Sequence, residues 1–165
     1  MDNNIIKQIN QMIILKKSFI MKEMGFKFIE HTADVRVKSW GPTIEEAFSQ
    51  TALALMETIS PNLGKIKPKL VKEINVESED KYALAIDFLT EFLYVFDVEE
   101  LIFSEIKVES IQLKHGNYQL KATAKGEKFD KSIHEIGTEV KAITYSFMNI
   151  EQKENKVTID IVFDI

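Results

Sequence analysis

The chain contains no cysteine, which excludes disulfides, thiolate metal sites and cysteine nucleophiles. That absence fits a reducing compartment, and the cytoplasm is the expected location. Arginine is nearly missing too, with Arg36 alone among 21 basic residues. Bidentate reading of phosphates or guanine edges relies on arginine's fork. Because the net charge is also −5, direct sequence-specific nucleic-acid binding is not expected. No apolar run approaches the roughly 20 residues that span a bilayer, so no membrane association is expected either. The chain carries no Gly-x-x-x-x-Gly-Lys-Ser/Thr loop, no Gly-x-Gly-x-x-Gly turn and no Gly-x-Ser-x-Gly elbow. His31, His115 and His134 lack the close spacing of a zinc-binding helix. A self-sufficient enzyme of a familiar kind is not indicated.

Against those absences stand 45% apolar and 28% charged residues in 165, a globular balance with enough chain for one packed core. Residues 1–24 read as an extension. Ile5, Ile9, Met12, Ile13 and Ile20 form a weak helical stripe ringed by lysines, and Met21 or Met24 could serve as the start. The domain is expected over 25–165. Phe26–Glu30 and Val35–Trp40 read as strands, and Thr43 with Glu46 fits a capping box opening a helix to about Ile59. A strand over Leu70–Glu77 precedes a second helix, about Asp80–Phe96. Its wide apolar arc makes that helix the expected centre of the core. Ile102–Leu113 and Tyr118–Ala124 read as a hairpin around His115-Gly116-Asn117. Val140–Phe147 and Val157–Phe163 make a final pair. The order β-β-α-β-α-β-β-β-β predicts an α+β fold, two helices packed on a mainly antiparallel β-sheet.

Polar residues gather at the two ends of this domain. His31 and Asp34 lie at the close of one strand, and Asp164 precedes the terminal carboxylate of Ile165. If the fold brings Asp34 beside Asp164, three carboxylates converge and require a cation or a proton. In the last strand Thr158, Asp160, Val162 and Asp164 share the face away from the core. Asp160 and Asp164 are then roughly 13 Å apart, too far to share one metal. Spacing alone leaves simpler readings open: a solvated chain end for Asp164, a turn acceptor for Asp34, a solvated Lys141 and a surface His134.

Several segments together resemble the archease family. They are Glu30-His31-Thr32-Ala33-Asp34-Val35, Gly41 with Glu45-Glu46-Ala47-Phe48, and Asp87 to Tyr94. Gly126-Glu127, His134, Glu139 to Tyr145 and the terminal Asp164-Ile165 complete the set, in order, from about residue 25 to the end. The resemblance implies an accessory factor for the RtcB-type RNA ligase, which seals tRNA exon halves with GTP and metal. Such factors promote guanylylation of the ligase and its multiple turnover, and can widen its nucleotide choice; tRNA halves are met only indirectly. It also implies a divalent metal, Ca²⁺ ahead of Mg²⁺ or Mn²⁺, at Asp34, Asp164 and the Ile165 carboxylate. Lys141 is a further implied functional position, with His31 and His134 in support. Ser146 stands where many archeases carry a histidine. Two other readings remain: a chaperone-like binding module for an RNA-modifying enzyme such as a tRNA methyltransferase, and a metal-dependent hydrolase.

Overall fold

The computed structural model describes residues 3–165, with side chains described for 5–15 and 23–165. Helix α1 (Asn3–Glu23) leads into β1 (Gly25–Ile29), β2 (Val35–Gly41) and α2 (Ile44–Ile59). A short 3-10 turn (Leu63–Lys65) and β3 (Leu70–Ser78) precede α3 (Lys81–Glu99). The chain ends with β4 (Leu101–Lys114), β5 (Asn117–Lys128), β6 (Ala142–Lys153) and β7 (Lys156–Asp164). All strand pairs are antiparallel, and the fold is α+β as the pattern predicts. The strands divide between two sheets, ordered β1-β2-β7-β6 and β3-β5-β4.

Local chemistry sets most boundaries. The Thr43 hydroxyl accepts from the Glu46 N–H at 3.3 Å while the Glu46 carboxylate accepts from the Thr43 N–H at 3.0 Å. Together these close the predicted capping box. Asp80 caps α3 by accepting from Tyr82 and Ala83. The β4–β5 hairpin turns through His115 (φ 52°) and Gly116 (φ 88°), left-handed conformations that suit a tight two-residue loop. In β3, Val71, Glu73, Asn75 and Glu77 are exposed, whereas Ile74 and Ser78 are buried. Lys72 breaks the apolar row but pairs with Glu99 at the end of α3.

The expectation of a central α3 is corrected. Ten of the sixteen residues of α2 are buried, against seven of the nineteen in α3; both helices contact strands of the two sheets, α2 chiefly β4 and β2, α3 chiefly β3 and β6. Polar residues on α2 conceal this in the sequence. Thr51 and Thr58 donate to the carbonyls of Ala47 and Ala54, both at 2.8 Å, and Ser49 donates to Glu45 O and accepts from the Val108 N–H. With their hydroxyls satisfied, these residues enter the core at little cost. Phe48, Phe88, Phe92 and Phe103 run through that core with ring centroids 5.1–6.2 Å apart. Each fully buried ring contributes about 1.5–3 kcal/mol of transfer free energy.

Candidate metal and phosphate site

Strand register brings the two ends of the domain together. Val35 faces Phe163 across β2 and β7, so Asp34 and Asp164, each the next residue along, lie at the same end of that strand pair. On the other side of β7, Asp164 faces Ala142 of β6, and the Lys141 N–H donates to the Asp164 carbonyl at 2.8 Å. Lys141 therefore sits beside Ile165 and its terminal carboxylate. Asp34, Asp164, the chain terminus and Lys141 share one corner of the four-stranded sheet. The side chain of Lys141 is exposed there, while Asp34 and Asp164 are half-buried.

His31 belongs to the same corner. Its Nδ1 accepts from the Asp34 N–H at 3.4 Å, which orients the ring and leaves Nε2 as the protonated nitrogen of the neutral form. The ring meets Phe147 edge to face at 5.7 Å. Phe147 lies in a bulge of β6 between Thr144 and Asn149, has φ 53°, and is 63% exposed. Ser146 lies in that bulge and is exposed as well. Arg36 extends over the Phe147 ring at 5.3 Å and pairs with Asp160 at 3.5 Å. Sequence reasoning passed over Arg36 as a site residue; its signal was being the only arginine, two residues beyond Asp34 on the same strand face.

His134 is not on the surface. It is 4% exposed, stacks on Phe129 at 5.6 Å, and accepts at Nδ1 from the Asp130 N–H. Its Nε2 therefore donates to Glu127 Oε1, 3.2 Å away. Glu127 is buried as well and takes the Lys69 ammonium and the Lys67 N–H. Lys69 first, then that N–H, hold its carboxyl at about 2, with His134 adding to them and burial opposing. This cluster anchors the segment between β5 and β6. Further along the same segment, Gly137 and Thr138 donate to the carbonyls of Ile59 and Thr58, filling acceptors that the end of α2 leaves open. A Cβ on Gly137 would lie 2.2 Å from the Thr58 carbonyl oxygen, so only glycine permits the approach.

Asp160 and Val162 lie on the outward face, across from Lys38 and Arg36, yet are covered there and only 7% and 1% exposed. Arg36 and Lys38 neutralise Asp160, at 3.5 and 3.2 Å, which separates it from the carboxylates at the chain end. Among the described residues, no three histidine, aspartate or glutamate side chains gather closely enough to hold a metal. Any cation at Asp34 and Asp164 would draw its third carboxylate from the main-chain terminus. Two aspartates and a terminal carboxylate form a hard oxygen donor set, the kind that Ca²⁺ and Mg²⁺ prefer.

The profile of the Archease protein family matches residues 26–165. Protein archease of Pyrococcus furiosus is 49% identical over 123 residues, 74% of this chain and 85% of the relative. Its counterpart in Methanosarcina acetivorans is 35% identical over 140 residues, covering 85% and 95%. The solution structure of Methanobacterium thermoautotrophicum protein 1598 superposes with a TM-score of 0.75 at 32% identity, covering 86% of this chain and 99% of that one. A Thermotoga maritima crystal structure described as "an archease, possible chaperone" shares the fold, with a TM-score of 0.53 at 22% identity and coverage of 84% and 96%. Helix α1 lies outside the family match.

Proposed function

The chain belongs to the archease family, and from that membership we propose that it activates the RtcB-type tRNA-splicing RNA ligase. In this reading it promotes GTP-dependent guanylylation of the ligase, sustains multiple turnover and widens the ligase's choice of NTP. The observation that supports the reading is the pairing of Val35 with Phe163, and of Lys141 N–H with Asp164 O, which puts the residues flanking Asp34, Asp164 and the chain terminus at one corner of the sheet. Asp34, Asp164 and the Ile165 carboxylate would hold a divalent cation, calcium first. When bound, the cation supplies concentrated positive charge for phosphate oxygens.

The chain's own residues set the remaining chemistry. The exposed Lys141 ammonium adds a positive charge at the same corner, where it offsets phosphate charge or anchors the partner. His31 is held by the Asp34 N–H, so its Nε2–H is aimed and available as a donor. Placing these groups against the ligase's nucleotide supports phosphoryl transfer by positioning, and an activator of this kind needs no nucleophile of its own.

The test is ligation of tRNA halves by a limiting amount of the cognate ligase, with GTP and metal. Multiple turnovers are expected only with the intact chain. Asp34→Ala is expected to lose that stimulation while keeping the wild-type circular-dichroism melt. Full stimulation by Asp34→Ala would sink the proposal.

A second reading, a chaperone-like module for an RNA-modifying enzyme, draws on a separate feature. An apolar groove lined by Ile59, Leu93, Phe96, Phe129, Ile136 and Val140 lies between the helices and the β5–β6 segment. That role has no use for the carboxylates, so Asp34→Ala would leave it intact.

A further inference from the structure

The four-stranded sheet turns one face toward the helices and leaves the other open. On β2, Val37 and Ser39 point inward and are fully buried. Asp34, Arg36, Lys38 and Trp40 occupy the alternate positions and so line up along the open face. Lys27 of β1 is registered beside Lys38, and Thr158 of β7 beside Trp40. At the far end of this row, Lys27, Lys38, Lys153 and Lys156 surround Trp40 in a depression of about 390 Å³. The Lys156 ammonium lies over the indole, 5.8 Å from its centroid. The indole's terminal ring covers Gly25, where a Cβ would come within 3.1 Å of it.

Charge on this face runs against the rest of the molecule. Arg36, Lys38, Lys27, Lys153 and Lys156 carry five positive charges, and Asp160 and Glu151 answer two of them. Lys27 and Lys156 have no carboxylate partner among the described residues. The Trp40 end of the face, with four lysines and Glu151, is therefore positive in a chain of net charge −5.

We propose that this face binds single-stranded nucleic acid without regard to sequence. Its phosphates would follow the cations along β2, and a base would stack on Trp40 in place of the Lys156 ammonium. A cationic groove with an aromatic platform is the general solution for that ligand. Base-edge reading is not provided for, because the one arginine is committed to Asp160. An anionic lipid surface fits less well, since Trp40 is half-buried in a polar depression and cannot enter acyl chains. The row on β2 runs about 20 Å from Trp40 to Asp34, so a strand bound along it would end at the carboxylate corner. This goes beyond the ligase reading and is tested without the ligase.

The probe is a fluorescein-labelled oligouridylate of about 15 nucleotides, titrated with the full chain at about 50 to 200 mM salt. Trp40 is the only tryptophan, so its own emission reports stacking. Saturable binding that quenches Trp40 is expected. Lys27→Glu combined with Lys156→Glu should weaken binding at least about tenfold and lower the log–log salt slope by about 1.4. Lys107→Glu combined with Lys121→Glu, on the other sheet, should leave binding unchanged. Three outcomes would overturn the proposal: absence of binding, an equal loss in both double variants, or tighter binding to phosphatidylserine vesicles than to the RNA.

Discussion

Glu127 shows how one buried carboxylate can hold a long segment in place. Lys69, the Lys67 N–H and His134 all converge on it, and its carboxyl sits at about 2 instead of the ordinary 4.5. The folded chain therefore releases this proton more readily than the unfolded chain does. The stability it contributes is complete above about pH 4.5 and is lost as the pH falls toward 2. Glu127→Gln should flatten that acid-side decline, as measured by urea midpoints across the interval; an unchanged decline would refute the assignment. At the same scale, Asp34 and Asp164 gain meaning only from their neighbours. Alone, each is a short acid at a strand end; the pairing of Val35 with Phe163 puts both strand ends at one corner of the sheet.

Among the elements, β5 carries the tightest constraint. At Gly126 a Cβ would lie 1.8 Å from the Ile102 carbonyl oxygen and 2.7 Å from the Phe103 Cα. The obstruction is backbone on both counts and cannot swing aside. Gly126→Ala should destabilise the domain by about 3 kcal/mol, read as a shift in denaturant midpoint at constant slope; a shift below about 0.5 kcal/mol would show that β4 and β5 can part without cost. Helix boundaries and the hairpin turn were legible in the sequence because caps and turn residues act over three or four positions. The burial of α2 was not, since its serines and threonines satisfy themselves within the helix and hide a surface covered by both sheets. The β6 bulge escaped too, because nothing local in Tyr145 to Met148 announces that four residues stand against one residue of β7, Ile161.

For the molecule as a whole, the described part of α1 contributes nothing to the packed body. Every described side chain from Ile5 to Leu15 is exposed, and the family match begins after the helix ends. No described helix is long and apolar enough to cross a membrane. Removing residues 1–23 should leave the thermal midpoint within about 2 °C of the full chain, since none of their described side chains enters the core; a larger drop would mean that the helix packs on the domain in solution. The sequence by itself determined the α+β class, the order of the elements after α1 and the family, because periodicity, caps and motif order are properties of neighbouring residues. Tertiary structure alone decided which sheet each strand joins, that His134 is buried, and that cations gather on one open face of an acidic chain. It also decided that the strand following Asp34 pairs with the strand ending at Asp164, 130 positions away. Register between distant strands is set by how whole faces pack against the core, and no window of sequence contains that information.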